Sequence, residues 1–363
     1  MAAAPLPDFN MAESVLWQPG TDDTLECVLV RDETHDVKTF VFRSQQPRRF
    51  RYLPGQFITL ELEINGAAIN RCYTLSSTPT RPDTVSITVK RVPNGPVSNW
   101  LHDHMQVGRT VKVLGPSGEF SCFLHDRPKY LFLSAGSGIT PLMSMSRALT
   151  DLALDRDVVF VHSARSPADV IFAREQQALA RNNPTFRHAV ICERAGADRD
   201  YAGYQGFLSL ATLSNIAPDF REREVFTCGP APYMAAVRKI LEAAGFNMQQ
   251  YHEESFAFET LMGGAEEAQP PAAAEGEGYT IRFAKSGDEV RCAPPQTILA
   301  AAKATGMRLA SSCTQGLCGT CKTKMLSGQV DMKHAGGIRQ REIDQGFILP
   351  CCSVPLSDVV LDR

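Results

Sequence analysis

Short runs in which apolar and polar residues alternate characterise the chain up to about residue 125. Examples are residues 24–30, 57–63 and 84–90, and Asn-Gly turn signals follow the second and third runs. A period of two is typical of strands with one buried face, and frequent turns favour an antiparallel barrel or sandwich. We therefore predict an all-β domain over residues 22–125, preceded by an arm of residues 1–21.

Continuous apolar runs replace this alternation beyond residue 126. They predict buried strands at 130–134, 158–162, 189–192 and 224–228. Helical patterns lie between and after them, at 141–153, 172–181 and 232–244. Strands that alternate with helices predict a parallel sheet covered by helices, here over residues 126–261.

A composition change then separates a third domain. Residues 262–278 consist mainly of Ala, Gly, Pro and Glu, which offer little to bury, and they predict a flexible linker. Such a coil would span roughly 20–25 Å. The last domain, 279–363, opens with predicted strands at 279–283 and 289–292 and a helix at 297–304.

Composition and charge exclude several classes of protein. The chain is 44% apolar and 21% charged, with a formal net charge of −3, which is typical of a soluble globular protein and argues against a nucleic-acid binder. It has no apolar run long enough to span a membrane, and its N-terminus lacks the pattern of a secretory signal. We therefore expect a cytoplasmic protein without a membrane partner.

Five of the eleven cysteines lie within 40 residues and carry the strongest chemical signal. Cys313-x4-Cys318-x2-Cys321 with a distant Cys351 has the spacing of plant-type [2Fe–2S] ligands, and the small residues between them let backbone N–H groups approach cluster sulfurs. A structural zinc site is the alternative, although zinc favours paired C-x2-C motifs. The segment before Cys351 resembles the fourth-ligand segment of plant-type ferredoxins. The adjacent Cys352 is the alternative fourth ligand. If Cys351 and Cys352 lie on an extended strand, their side chains point opposite ways, and Cys352 should face away from the cluster, into the core.

A flavin motif precedes this cluster in the chain. Residues Arg71-Cys-Tyr-Thr74 resemble the R-x-Y-[ST] motif of the ferredoxin–NADP reductase superfamily. The resemblance implies that Tyr73 covers the flavin ring, Arg71 meets the flavin phosphate and Thr74 hydrogen-bonds the ring edge. A guanidinium matches phosphate oxygens well. Taken alone, these four residues would also suit an ordinary strand.

A second phosphate-binding element follows. Residues 95–98 resemble the family's G-V-x-S element, which implies that Gly95, Val97 and Ser98 meet the FAD pyrophosphate at a helix start. This favours FAD over FMN, although Pro96 removes one N–H donor. The alternative is a plain helix capped by Ser98. Lys90, which closes the preceding strand, is a further cofactor-binding candidate.

Two glycine motifs point to a nicotinamide site. Residues 134–141 follow a buried strand, open a helix, and resemble the family's G-x-G-[IV]-[TA]-P motif, which implicates Gly136, Gly138 and Thr140. Residues 227–234 resemble its C-G-P motif.

The C-G-P motif implies roles at the reacting carbon. It places Cys228 beside the nicotinamide and makes Gly229 and Pro230 the supporting turn. The resemblance further implies that Glu254 and Phe256 lie at the flavin–nicotinamide junction. Rival residues for these two roles are His252, Glu253 and Phe258.

The whole resemblance, from about 22 to 363, implies an antiparallel β-barrel flavin domain, an α/β parallel-sheet nicotinamide domain and an α+β, β-grasp ferredoxin domain. It implies electron transfer from NADH through FAD to the [2Fe–2S] cluster and on to a Rieske-type terminal oxygenase. Residues 251–256 and 330–344 resemble reductases that serve demethylases of glycine betaine and similar quaternary amines. The alternatives are a reductase for another acceptor, such as a hybrid-cluster protein, and a ferredoxin-like carrier with an inactive reductase half.

Two charge patterns add hypotheses. Glu193 follows the strand at 189–192 and would repel the 2′-phosphate of NADPH, which favours NADH, although Arg194 and Arg165 leave NADPH open. Residues 278–363 contain eleven Lys and Arg against seven Asp and Glu, and the difference, 11 − 7, is a net charge of +4. A basic face of this kind would guide the ferredoxin domain to an acidic partner, while the linker lets it turn between flavin and partner.

Overall fold

The computed structural model of the chain describes residues 15–18, 21–198, 201–255, 278–307, 309–311, 314, 316, 319–334, 338 and 340–363. These residues form two six-stranded sheets, a five-stranded sheet and a two-stranded one. The larger sheets fall in the three regions that the hydrophobic patterns separated, so the three-part architecture is confirmed, while the exact domain boundaries stay predictions. None of the helices in this part of the chain combines the length and the apolar character that a membrane span requires.

The first domain is an antiparallel barrel. Its elements are β1 (Thr24–Thr34), β2 (Val37–Ser44), β3 (Phe57–Ile64), β4 (Ala67–Thr74), β5 (Val85–Lys90), α1 (Pro96–His104) and β6 (Thr110–Ser117). The strand order is β4-β3-β6-β1-β2-β5, and an antiparallel bridge between Leu75, just after β4, and Ile87 of β5 joins the two outer strands. Trp17 packs into the barrel core, where its indole ring lies 5.2 Å from the ring of Phe50.

The second domain is a parallel sheet with the strand order β10-β9-β8-β7-β11-β12. Its elements are β7 (Lys129–Ala135), α2 (Ile139–Asp151), β8 (Asp157–Ala164), α3 (Ala173–Asn182), β9 (Phe186–Cys192), β10 (Tyr204–Gln205), α4 (Leu210–Ile216), β11 (Glu224–Gly229), α5 (Ala231–Ala243) and β12 (Tyr251–Ser255). The strand order reverses between β7 and β11. In sheets of this type the crevice at the carboxyl ends of the reversing strands is the usual ligand site.

The third domain is a small mixed sheet with one helix packed into its core. Its elements are β13 (Tyr279–Phe283), β14 (Glu289–Cys292), α6 (Ile298–Ala304), β15 (Thr323–Ser327), β16 (Val330–Met332), α7 (Gln340–Asp344), β17 (Phe347–Ile348), β18 (Ser353–Pro355) and β19 (Val359–Leu361). The order is β14-β13-β19-β15-β17, and β13 and β19 run parallel. Side chains of α6 such as Ile298 and Ala302 share the core with this sheet.

Candidate functional site: the flavin–nicotinamide junction and the cluster loop

The flavin motif lies on β4, an outer strand of the barrel. Arg71 and Tyr73 are both half-buried, and as residues i and i+2 they share one face of the strand. The Arg71 guanidinium donates to the backbone carbonyl of Asn70 at 2.9 Å. A cation and an aromatic ring on one partly open strand face match the groups that a flavin phosphate and ring require. The roles of these two side chains stay predictions.

Thr74, the last residue of the motif, meets the second domain. Its side chain is buried, and its Oγ1 lies 3.5 Å from Oε2 of Glu254, 180 residues further along the chain. The ends of β4 and β12 therefore come together. The residue proposed for the flavin edge and the carboxylate proposed for the junction occupy one site.

The second phosphate element forms the start of α1. The helix begins at Pro96 with Gly95 as its N-cap, so Ser98 lies in the first turn and is not the cap that we considered. The Ser98 hydroxyl accepts from the backbone N–H of Val92 at 3.1 Å and donates to the Gly95 carbonyl at 3.3 Å. The first N–H groups of a helix lack partners within it, which suits a phosphate.

Lys90 has a carboxylate partner in the structure. Its Nζ lies 3.3 Å from Oδ2 of Asp36, and a guanidinium nitrogen of Arg165 lies 3.1 Å from the same oxygen. Because Arg165 immediately follows β8, this ion-pair network links the barrel to the parallel sheet. A role for Lys90 in cofactor binding stays a prediction.

The two nicotinamide motifs touch each other at the crevice between β7 and β11. Gly138 ends a short 3-10 turn after β7 and immediately precedes α2. A Cβ placed on Gly138 would lie 2.3 Å from the carbonyl oxygen of Cys228 and 2.6 Å from the amide nitrogen of Gly229. Only glycine permits this backbone contact. Gly136 has a positive φ of 53°, which glycine adopts readily.

Cys228 lies on β11 between the other residues of the site. It pairs with Ser134 of β7 on one side and with Glu254 of β12 on the other. The side chain is fully buried, and burial together with the nearby Glu254 raises the pKa of its thiol well above the ordinary value. A thiol held neutral is a poor nucleophile, so Cys228 is suited to shape the site by packing. Its place beside the nicotinamide stays a prediction.

Glu254 is the junction candidate that the structure places against the flavin motif. Its rival Glu253 accepts a hydrogen bond from the Tyr251 hydroxyl at 2.6 Å and pairs with Arg238. The other rival, His252, hydrogen-bonds Glu224 at the opposite end of β11. The two phenylalanines considered for the junction, Phe256 and Phe258, lie outside the described residues.

We expect Glu254 to make the stability of the protein depend on pH. Burial raises the pKa of this carboxyl to about 8 from 4.5, while the charge of Lys322 and a hydrogen bond from Thr74 oppose the rise. Because the pKa is higher in the folded state than in the unfolded state, the folded state binds the proton more tightly between these two values. Stability is therefore fully present below the unfolded pKa and falls as pH rises toward the folded one.

The test compares the parent with Glu254→Gln, which keeps the shape of the side chain and cannot titrate. The melting temperature of the variant minus that of the parent should increase from pH 5 to pH 9. Glu242→Gln, at an exposed position on α5, serves as the control. A difference that stays constant across this range would contradict the raised pKa.

Two of the four proposed cluster cysteines are among the described residues, and both lie in the core of the third domain. Cys321 and Cys351 are both buried, while Cys313 and Cys318 fall outside the described residues. Cys351 lies in a turn, where the N–H of Cys352 donates to the Leu349 carbonyl at 3.0 Å. The extended strand that we assumed for this pair is therefore wrong.

Cys352 lies at the edge of the core. It is half-buried and packs against the hydrophobic cluster of the third domain. Its Sγ also lies 2.6 Å from where a Cβ on Gly316 would stand, so it approaches a residue that lies between two proposed cluster cysteines, Cys313 and Cys318, in the sequence. Cys351 as the fourth ligand stays a prediction, and its deeper burial supports it.

Contacts between the barrel and the ferredoxin domain were not foreseen from the sequence. Cys72, inside the flavin motif, has its Sγ 3.5 Å from Oγ1 of Thr320, which immediately precedes Cys321. Lys322 has its Nζ 3.9 Å from a carboxylate oxygen of Glu119 in the segment after β6. Thr320, next to the proposed cluster ligand Cys321, therefore contacts the strand that carries the flavin motif.

Comparison with known proteins assigns all three domains. Residues 26–122 match the family "Oxidoreductase FAD-binding domain", 132–239 the "Oxidoreductase NAD-binding domain", and 281–356 the "2Fe-2S iron-sulfur cluster binding domain". These matches confirm the predicted cofactors, FAD, NADH and a [2Fe–2S] cluster. FMN and a structural zinc site in place of the cluster are therefore set aside.

Relatives align along the whole length. The chain is 46% identical over 361 residues to the glycine betaine monooxygenase reductase subunit of Pseudomonas aeruginosa, and the alignment covers 98% of each chain. It is 41% identical to the stachydrine N-demethylase reductase subunit of Rhizobium meliloti, across 94% of this chain and 96% of that one. Phthalate dioxygenase reductase has a similar structure, with a TM-score of 0.56, 25% identity, and coverage of 94% of this chain and 97% of that one.

Proposed function

The chain belongs to the family of oxidoreductases that join an FAD-binding, an NAD-binding and a 2Fe-2S domain, and we propose that it supplies electrons to a Rieske-type oxygenase that demethylates glycine betaine or a similar quaternary amine. The observation that carries the proposal is the 46% identity to a glycine betaine monooxygenase reductase subunit over 98% of both chains. The NADH-dependent reductase activity itself follows from the three domains.

When bound, FAD would supply the acceptance of two electrons from NADH as hydride, and the [2Fe–2S] cluster would supply onward transfer of single electrons. The residues of the chain position these groups. Gly138 lets the turn before α2 press against the backbone at Cys228, which shapes the crevice for the nicotinamide. Thr74 and Glu254 join the barrel and the parallel sheet at the junction.

Onward transfer to a Rieske centre is favourable. A plant-type cluster has a reduction potential of about −400 mV, whereas the potentials of Rieske centres lie between about −150 and +300 mV. The proposal is tested with the FAD- and cluster-loaded protein, NADH, and the purified oxygenase component of a glycine betaine monooxygenase. We expect formaldehyde release that depends on NADH, on glycine betaine and on both proteins. Reduction of the cluster without reduction of the Rieske centre would contradict the proposed partner while leaving the reductase activity intact.

Nucleotide preference can be tested at Glu193. This exposed residue follows β9, and its N–H donates to the carbonyl of Ala164 at the end of β8. The neighbouring Arg165 already pairs with Asp36 and, at 2.9 Å, with Asp169, which offsets its charge. We expect the parent to prefer NADH, and Glu193→Ser to raise kcat/KM for NADPH about tenfold, or about 1.4 kcal/mol.

The control for Glu193→Ser is Glu242→Ser, which removes an equal charge from an exposed position on α5. Steady-state kcat/KM with both nucleotides is measured for the three proteins. A parent that prefers NADPH would overturn the assignment of NADH, and an equal gain in both variants would show a general charge effect.

Salt dependence tests the role of the basic ferredoxin domain. The net charge of +4 over residues 278–363 predicts attraction to an acidic partner surface, and salt screens such attraction. We expect stopped-flow transfer from the cluster to the oxygenase to slow as ionic strength rises, while transfer from flavin to cluster within the chain changes much less. Transfer to the oxygenase that is indifferent to salt would refute the idea of electrostatic steering.

A further inference from the structure

Two histidines and a glutamate meet at the edge of the parallel sheet opposite the nicotinamide crevice. Glu224 is the first residue of β11 and His252 the second of β12, and His125 lies in the segment that leads from the barrel into β7. One potential ligand atom from each of the three lies within 4.8 Å of the other two. None of the roles derived above uses these side chains.

The group formed by His125, Glu224 and His252 is enclosed on most sides. The side chains of Glu224 and His252 are 4% and 9% exposed, and that of His125 is 38% exposed, so one side opens to solvent. His252 Nε2 lies 2.7 Å from Glu224 Oε1, and His125 Nδ1 lies 4.0 Å from the same oxygen. The second oxygen of Glu224, Oε2, is buried and accepts no hydrogen bond from the described part of the chain. A buried carboxylate oxygen of this kind is costly unless a cation compensates it.

Arg127 supplies a cation beside Oε2, with its Nε at 3.4 Å. Its side chain is 57% exposed, so the guanidinium can move into solvent when a metal ion takes over the compensation of the buried Glu224 carboxylate. The His125 and His252 rings lie 3.8 Å apart between centroids, and His252 stacks on Phe226 at 4.7 Å. His252 is therefore fixed by packing, while the more exposed His125 can adjust.

We propose that His125, Glu224 and His252 bind one divalent transition metal ion, with zinc as the best match. Two imidazoles and one carboxylate are a common protein ligand set for zinc, with a fourth position left for water. Metal bonds of about 2.0–2.1 Å in a tetrahedral site place ligand atoms roughly 3.3 Å apart. The 2.7 Å and 4.0 Å separations from Glu224 Oε1 bracket this value, so each of these two pairs needs to shift by less than about 1 Å. The ligand atoms of the two histidines lie within 4.8 Å of each other.

Metal binding would link the segment between the barrel and the parallel sheet to strands β11 and β12. His125 belongs to the segment between the barrel and the sheet, whereas Glu224 and His252 lie at the start of the two strands on which Cys228 and Glu254 pair. A histidine must be neutral to bind a metal ion. Metal binding would therefore release the extra proton from any of the two imidazoles that is protonated. We expect the bound ion to stabilise the parallel sheet.

A second trio, His35, Asp36 and Asp169, is a weaker candidate. Asp36 and Asp169 both pair with Arg165 in the structure, and Asp36 pairs with Lys90 as well. Cations already neutralise these carboxylates, so a metal ion would have to displace several ion pairs.

The test uses the full chain loaded with FAD and the iron–sulfur cluster and stripped of loosely bound metal. Zinc chloride is titrated by calorimetry in two buffers of different ionisation enthalpy, and bound zinc, iron and sulfide are measured after dialysis. We expect one zinc per chain with proton release, an unchanged iron content, and a higher melting temperature. Parent protein without saturable zinc binding would refute the site.

Variants locate the site. Glu224→Gln and His125→Ala should lose this zinc, whereas His125→Cys should retain it because a thiolate is also a zinc ligand. His104→Ala, at an exposed position on α1, is the control. His125 is the most exposed of the three ligands, so its replacement disturbs the packing least. Equal zinc content and affinity in His125→Ala and the parent would overturn the proposal, whatever the outcome with the oxygenase.

Discussion

Replacing Cys321 by Ser should abolish the iron–sulfur cluster and leave reduction of the flavin by NADH close to the parent rate. Cys321 is buried in the core of the ferredoxin domain, and in this variant a serine hydroxyl would replace the thiolate that we propose as a cluster ligand. The nicotinamide crevice belongs to a different domain. Stopped-flow absorbance should show a normal flavin phase, no cluster phase, and no electron transfer to the oxygenase.

The adjacent cysteines provide the matched comparison. We expect Cys351→Ser to behave like Cys321→Ser, and Cys352→Ser to retain a complete [2Fe–2S] cluster. Cys351 is buried at 6% exposure, whereas Cys352 is only half-buried, and this difference favours Cys351 as the ligand. A cluster lost in Cys352→Ser and retained in Cys351→Ser would reverse the assignment.

Replacing Gly138 by Ala should have the largest effect on the reaction with NADH. The added Cβ would lie 2.3 Å from the Cys228 carbonyl oxygen, so one of the two backbone segments must move. Misplacing reacting groups by about 1 Å can cost about 100-fold in rate. We therefore expect the rate of flavin reduction by NADH to fall about 100-fold.

The FAD and iron contents of Gly138→Ala should match those of the parent, because the flavin motif and the cluster cysteines belong to the other two domains. Ser137→Ala, which alters the neighbouring residue without adding a Cβ, is the control. Flavin reduction in Gly138→Ala at the parent rate would show that the close contact with Cys228 does not shape the site.

Local sequence patterns determined the order of elements and the position of each motif. The predicted strands at 57–63 and 130–134 and the helix at 232–244 correspond to β3, β7 and α5 within one or two residues at each end. Hydrophobic periodicity and turn residues are local properties, so they report local structure well. Cysteine spacing identified the cluster domain for the same reason, since three of the four proposed ligands lie close together in the sequence.

Contacts between distant segments were decided only by the tertiary structure. Thr74 and Glu254 lie 180 residues apart, and Cys72 and Thr320 lie 248 residues apart, yet each pair is in contact. A glutamate and a histidine of the proposed zinc site likewise meet through the pairing of parallel strands. Periodicity specifies which face of an element is buried, but the register of strands and the packing of domains specify which side chains meet. The junction of the three cofactor domains therefore depends on packing that no local pattern encodes.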